Sequence, residues 1–235
     1  LGLRKKKHPK SMGGQRRILI TAYDPKSPVS EQYRTIRTNI QYASVDREIK
    51  VILVTSAGPG EGKSTTAANL AVAFAQAGNK VLMVDGDLRK PTAHFTFNVP
   101  NTFGLTSVLT KQTTLDDAYR KTDVQNLFIL SSGPIPPNPS EVLGSESMDA
   151  LLEEAKSMFD IIIFDTPPVL VVADPQILAN KADGSILVTS SGKTDIEGAK
   201  KAKEILANAK AKLLGAVLNN KSIKSTDYYY YYNNK

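Results

Sequence analysis

Six short, nearly all-apolar runs recur along the chain: Val51–Thr55, Val81–Asp85, Leu127–Leu130, Ile161–Asp165, Ser185–Thr189 and Leu213–Leu218. Between them the apolar positions return at helical spacing, over Lys63–Ala77 (closed by Gly78-Asn79), Leu115–Arg120, Ser147–Met158 and Asp195–Ala209. Continuous apolar strands alternating with amphipathic helices predict an α/β fold: a mostly parallel central sheet covered by helices on both faces. Upstream, Ser30 is the expected N-cap of a helix to about Ala43, with Val29, Tyr33, Ile36 and Ile40 on one stripe. The proline-rich stretch Gly133–Glu141 resists regular structure and reads as a stiff surface connector ending at a helix start. No internal repeat is present.

At 235 residues the chain is long enough for one α/β domain with a sizeable core. The expected division is a flexible basic arm over 1–15, a single α/β domain over 16–220 and a tail over 221–235. The chain has no cysteine, which excludes disulfides and thiolate metal sites and suits a reducing compartment. No apolar stretch approaches the ~20 residues of a membrane span, and the basic start lacks the apolar centre of a secretory signal. A soluble chain is expected.

The net charge of +7 sits at one end. Arg4, Lys5, Lys6, Lys7, Lys10, Arg16 and Arg17 precede the first acid, Asp24; without them 23 Lys and Arg face 23 Asp and Glu. A neutral body argues against a nucleic-acid-binding face. The arm suits either an anionic membrane leaflet, at roughly 1 kcal/mol per cation, or a role as a solubilising extension.

Ala57-Gly58-Pro59-Gly60-Glu61-Gly62-Lys63-Ser64-Thr65 follows one predicted strand and opens a predicted helix. Strand, glycine-rich loop and helix N-terminus together form the context of a phosphate-binding loop. Backbone N–H groups freed by the glycines face phosphate oxygens, and the helix dipole favours the anion. Lys63 is placed to reach the β- and γ-phosphates of ATP, and Ser64 to ligate Mg²⁺. The strict pattern begins with glycine; here that position is Ala57, and the Gly-Lys-Ser end is intact. Asp85 and Asp87 follow the Val81 run and Asp165 ends the Ile161 run. In an open parallel sheet these carboxyl ends line the ligand crevice. Three carboxylates converging there require a cation, and beside a triphosphate that cation is Mg²⁺.

Five consecutive tyrosines, Tyr228 to Tyr232, lie near the chain end with no apolar neighbours to pack on. They stand 9 to 13 residues past Asn219, which at ~3.3 Å per residue gives roughly 30–43 Å of reach. That spans to a neighbouring subunit, whereas folding back in line onto the chain's own γ-phosphate needs a sharp reversal without glycine. Phenols beside an ATP site supply an acceptor for phosphoryl transfer; an aromatic tail that docks by stacking is the plainer reading.

With these motifs the chain resembles the bacterial tyrosine kinases of capsule and exopolysaccharide synthesis, in the form of the separate cytoplasmic kinase of Gram-positive bacteria. The resemblance runs from about Pro25 to the end. It rests on the phosphate loop, Asp85-Gly86-Asp87-Leu88-Arg89-Lys90-Pro91, Phe164-Asp165-Thr166-Pro167-Pro168, Ser132 to Glu141, Glu31-Gln32-Tyr33-Arg34-Thr35-Ile36-Arg37 and the tyrosine tail. It implies that residues 58–65 (Gly58, Pro59, Gly60, Glu61, Gly62, Lys63, Ser64, Thr65) hold ATP, and that Ser64, Asp87 and Asp165 hold Mg²⁺. Asp85 is implied as the base toward the tyrosine hydroxyl, and Asn219 as a contact of the adenine ring. Glu31, Arg34 and Arg37 are implied as an interface of a ring-shaped homo-oligomer; read alone, Glu31–Arg34 is an ordinary helical ion pair. The tyrosines Tyr228, Tyr229, Tyr230, Tyr231 and Tyr232 become the phosphorylation sites. Further implications are protein-tyrosine substrates, a transmembrane activator whose cytoplasmic tail engages the kinase at the inner membrane face, and a cognate phosphatase. A cell-division or partitioning ATPase shares the expected fold but carries a second lysine where this chain has Gly58. An ATP-binding scaffold is the remaining alternative.

Overall fold

The computed structural model describes residues 17–43 and 48–222. The N-terminal arm through Arg16 and the tyrosine cluster lie outside the described residues. Among the described residues seven strands form one sheet in the order β3-β4-β2-β5-β1-β6-β7. They are β1 (Val51–Ser56), β2 (Val81–Asp85), β3 (Arg120–Lys121), β4 (Leu127–Leu130), β5 (Ile161–Asp165), β6 (Gly184–Ser190) and β7 (Lys212–Asn219). All neighbours pair in parallel except β3, which runs antiparallel to β4.

The side-chain period of two divides the core between the sheet's faces. Val51 and Leu53 of β1, Leu82 and Val84 of β2, and Ile162 and Phe164 of β5 point into one apolar cluster. Ile52 and Val54, Val81 and Met83, and Ile161 and Ile163 point into the other. The first face is covered by α5 (Leu105–Leu109), α6 (Leu115–Ala118), α7 (Pro139–Gly144), α8 (Glu146–Met158), α9 (Asp174–Ala179) and α10 (Ile196–Ala207). The second carries α3 (Lys63–Gln76) and α4 (Ala93–Phe97). Over α3 lie α1 (Ile20–Tyr23) and α2 (Pro28–Tyr42), so α3 is buried nearly all round. Its five alanines between Ala67 and Ala75 let sheet and helices approach closely. The edge strand β7 departs from the expected two-sided cover, because Gly215, Ala216 and Leu218 are exposed.

Three expectations are corrected. Helix α2 begins at Pro28 with Ser27 as N-cap, its hydroxyl accepting from Ser30 N at 3.2 Å, not at Ser30. Proline has no N–H to lose at the first helical position and a φ already suited to it. Ser30 instead donates its hydroxyl to Asp24 O at 2.7 Å. On the predicted stripe Tyr33 and Ile40 are buried, but Val29 remains 44 % exposed. The helix expected over Leu115–Arg120 stops at Ala118; Arg120 pairs with Ile129 and Lys121 with Phe128 in the β3–β4 hairpin. The proline-rich connector ends as expected in a helix, α7, though Pro139 to Glu141 already belong to it and Gly133 is buried. Among the described residues no helix is long and apolar enough to cross a membrane.

Candidate active site

Strands β1, β5 and β2 lie side by side, so their carboxyl ends deliver the phosphate loop, Asp165 and Asp85 to one crevice. Val54 pairs with Asp165, and Asp165 with Asp85. Cross-strand bonds fix these ends: Thr55 Oγ1 donates to Pro167 O at 2.8 Å and Thr166 Oγ1 to Val54 O at 3.0 Å.

The loop rises from β1 and re-enters α3 at Gly62, which caps the helix in the left-handed region at φ 98°. The carboxylate of Glu61 curls beneath it, buried, and accepts Ala57 N at 3.1 Å. Among the described residues no protein acceptor takes the N–H groups of Gly60 through Ser64. A row of unclaimed donors at a helix N-terminus is an anion cradle. Pro59 and Gly60 form the exposed crest, and Thr65 is half-buried inside α3.

Lys63 Nζ stands 3.2 Å from Ser64 Oγ, 3.4 Å from Asp87 Oδ2 and 3.5 Å from Asp165 Oδ1. Burial pushes its ammonium down, but Asp165, Asp87 and Asp85 together outweigh burial and raise it. The ammonium thus marks the point where a hydroxyl and two carboxylates converge on positive charge. That donor set fits Mg²⁺, which takes oxygen ligands, keeps several waters and shares phosphate oxygens. Among the described residues no group of three or more His, Cys, Asp or Glu side chains could hold a metal. Ser64, Asp87 and Asp165 are the side chains placed to share such a cation.

Asp85 is more enclosed than its expected role suggests. Its residue is fully buried; Oδ2 accepts Thr92 N at 3.0 Å and Ala93 N at 2.9 Å, and Oδ1 accepts Asp87 N at 3.3 Å. Burial, then Asp165, raise its carboxyl; the Ala93 and Thr92 N–H groups oppose them, and the result is a pKa of about 7. Asp85 therefore organises the loop 86–93 that presents Asp87. Asn219 is placed against the phosphate loop: its Nδ2 donates to Glu61 O at 3.1 Å. Arg37 turns inward and donates to Ala73 O at 3.1 Å, while Arg34 pairs with Glu31 and with Pro25 O at the surface.

Sequence reasoning missed three groups around the site. Asn69, buried in α3, accepts Thr21 N at 3.0 Å and Thr21 Oγ1 at 2.9 Å and donates to Ile18 O at 3.2 Å. It pins the N-terminal lead-in to the phosphate-loop helix; an amide inside an alanine-rich helix was the available signal. Asp174, wholly buried, receives both ends of the Arg89 guanidinium. Lys193, between β6 and α10, donates to Pro59 O and Gly60 O, each at 3.0 Å. Nothing local in the sequence announces it.

The family model described as "AAA domain" matches residues 49–218. Tyrosine-protein kinase YwqD of Bacillus subtilis (strain 168) is 58 % identical over 219 residues, 93 % of this chain and 92 % of YwqD. The crystal structure of the chimerical protein CapA2B2 superposes with a TM-score of 0.85 at 46 % identity, covering 87 % of this chain and 90 % of that one. The septum site-determining protein MinD of Pyrococcus horikoshii OT3, solved with Mg-ADP, follows at a TM-score of 0.63 and 26 % identity, covering 77 % and 76 %. A phosphate loop, three carboxylates at adjoining strand ends and this extent of identity place the chain in a P-loop NTPase-like fold and make it a member of the bacterial tyrosine kinases.

Proposed function

We propose that the chain is an ATP- and Mg²⁺-dependent protein-tyrosine autokinase that phosphorylates Tyr228 to Tyr232 of a neighbouring subunit. The convergence of Lys63, Ser64, Asp87 and Asp165 on one point carries this reading. The N–H groups of residues 60–64 hold the phosphates and Lys63 leaves its carboxylates for the β- and γ-oxygens. Ser64, Asp87 and Asp165 would hold Mg²⁺, which would neutralise the charge that builds on the transferred group. The phenol oxygen forms the new bond to the γ-phosphorus as that phosphorus's bond to the β,γ-bridging oxygen breaks, ADP keeps the electron pair, and the phenolic proton passes to water or to Asp85. Because such transfer has a loose transition state, alignment and charge dominate. Asp85 then acts first by shaping the loop that carries Asp87, and as proton acceptor only where that loop opens toward the phenol. Asn219 keeps a second Nδ2 hydrogen for the base.

The neighbour is supplied by a homo-oligomer in which Glu31 and Arg34 face outward on α2, and Arg37 steadies that helix against α3 from within. A ring is the closed form that serves every tail with a site. The kinase works with the cytoplasmic tail of a transmembrane activator at the inner membrane face, in capsule or exopolysaccharide synthesis, and a phosphatase resets the tail. Each phosphotyrosine adds about −1.5 to −2 charges, so a phosphorylated tail leaves a carboxylate-lined crevice and the ring loosens. The rival closest in fold is an ATPase switch, favoured by the likeness to MinD.

The deciding experiment mixes a Lys63→Ala chain that keeps its tail with an active chain lacking residues 228–232, with labelled ATP and the activator tail. Label on the inactive chain is expected. Free phosphate without phosphotyrosine would instead indicate the ATPase, and bound but unreacted ATP a scaffold.

A further inference from the structure

Four successive carbonyls of the phosphate loop, 58 to 61, are each taken by a side chain. Ser56 Oγ donates to Gly58 O at 2.7 Å, Lys193 Nζ to Pro59 O and Gly60 O at 3.0 Å each, and Asn219 Nδ2 to Glu61 O at 3.1 Å. A peptide plane whose oxygen is held outward turns the N–H of the following residue the other way. These bonds therefore aim the donors of residues 60–62 inward, where phosphate oxygens are to lie.

The two left-handed glycines of the loop gain a second reason to be glycine. A Cβ on Gly60, at φ 70°, would stand 2.6 Å from Lys193 Nζ; one on Gly62, at φ 98°, would stand 1.8 Å from Asn219 Nδ2. The space a side chain would fill is occupied by the donors that hold the loop open. The chain around Lys193 is itself fixed: Lys193 N donates to Ser190 O at 3.1 Å and Ser190 N to Thr194 Oγ1 at 2.7 Å. Ser191 N donates to Asn219 O at 2.8 Å, so the ends of β6 and β7 carry both clamps as one unit.

We infer that Lys193 is a positioning residue that pre-shapes the phosphate loop for the nucleotide from its outer side without touching the nucleotide, and that Asn219 adds to this through its bond to Glu61 O while its second Nδ2 hydrogen stays available to the base. The inference rests on the nucleotide reading above and is independent of whether phosphate reaches tyrosine. Lys193 is exposed, so its replacement leaves the core untouched.

The test uses the full chain with Lys193→Met and Lys193→Arg, measuring ADP and ATP affinity with Mg²⁺ by competition against a fluorescent ADP. Lys193→Met is expected to weaken ADP and ATP alike by about tenfold, the effect of losing hydrogen bonds from a charged donor at an exposed site. Lys193→Arg should recover affinity to within about threefold, since a guanidinium fork can also serve two carbonyls. Turnover at saturating ATP should change less than about twofold, and the melting temperature of the nucleotide-free chain should not move. Unchanged ADP affinity would overturn the inference. So would a loss confined to ATP, which would put Lys193 directly on the γ-phosphate, or a lowered melting temperature with affinities intact, which would make it merely structural.

Discussion

Asp85→Asn should make the nucleotide- and metal-free chain more stable while nearly abolishing transfer. Asp85 is a wholly buried carboxyl whose pKa rises from 3.8 to about 7, through burial first and Asp165 second. A group raised in the folded state contributes stability that is complete below its unfolded pKa and is lost as pH rises through the folded one. By pH 8 the burden of ionising Asp85 is on the order of 4 kcal/mol. Asparagine keeps an oxygen for Thr92 N and Ala93 N but turns an NH₂ toward Asp87 N, forfeiting the 3.3 Å bond, at about 1 kcal/mol. The net gain is on the order of 3 kcal/mol at pH 8 and under about 1 kcal/mol at pH 5. At 2–4 °C per kcal/mol for a domain of this size, the melting temperature should rise about 6–12 °C at pH 8. Thermal unfolding of both chains from pH 5 to 8, without nucleotide or metal, reads the difference directly. Mg²⁺ should narrow it by relieving the same repulsion in the unaltered chain. Parallel pH profiles for the two chains, or an asparagine variant less stable at pH 8, would refute the reasoning.

Gly62→Ala should fold yet lose nucleotide affinity by about a hundredfold or more, since alanine resists φ 98° and meets Asn219 Nδ2 at 1.8 Å; titration with fluorescent ADP measures it. Asn69→Ala strands the buried Thr21 N–H, while the Thr21 hydroxyl keeps the carbonyl of residue 69 at 3.3 Å, and should cost about 1–2 kcal/mol. Proteolysis should then cut near Ile18 to Tyr23 faster than in the unaltered chain. Arg37→Ala should lower stability by about 1 kcal/mol through the lost bond to Ala73 O, and the oligomer's mass in solution should fall with the fold intact.

Much of this was legible because burial dictates period. Runs such as Ile161–Asp165 have no polar face, so only a strand covered on both sides accommodates them, and their ends locate the crevice. Gly62-Lys63-Ser64 declares its chemistry through local geometry alone. The short elements were not legible: α1, α4, α5 and α9 have four to six residues each, too few for a helical period to repeat. The hairpin that captures Arg120 turns on Asn126 at φ 64°, an asparagine that no apolar pattern flags. Contacts between distant positions left no trace either. Lys193 lies 134 residues from Pro59 in sequence, and only the parallel placement of β1, β6 and β7 brings them together.

Arg89 shows how far such long-range contacts reassign a motif residue. It follows Asp87 by two positions, close to the crevice, where a cation invites a phosphate role. Its guanidinium instead grips Asp174 at 2.8 and 3.1 Å and reaches Ser140 Oγ at 3.2 Å, while Ser140 donates to Asp174 at 2.6 Å. Burial pushes the Asp174 carboxyl up, but the bonds from Arg89 and Ser140 outweigh it and leave it lowered. Its contribution is therefore present above the ordinary carboxylate range and lost as pH falls through the folded value. Arg89→Met leaves a buried carboxylate with Ser140 and the Asp174 backbone N–H but no cation beside it. Breaking a buried pair costs 3–5 kcal/mol, and with the arginine side chain 40 % exposed about 2 kcal/mol is expected. The fork ties the loop carrying Asp87 to α7 and α9, so the same change should raise the Mg²⁺ concentration for half-maximal turnover several-fold. Arg89→Lys, keeping charge but not the fork, should fall between. Unaltered Mg²⁺ dependence together with a large loss of ATP affinity would place Arg89 on the phosphates instead and sink this assignment.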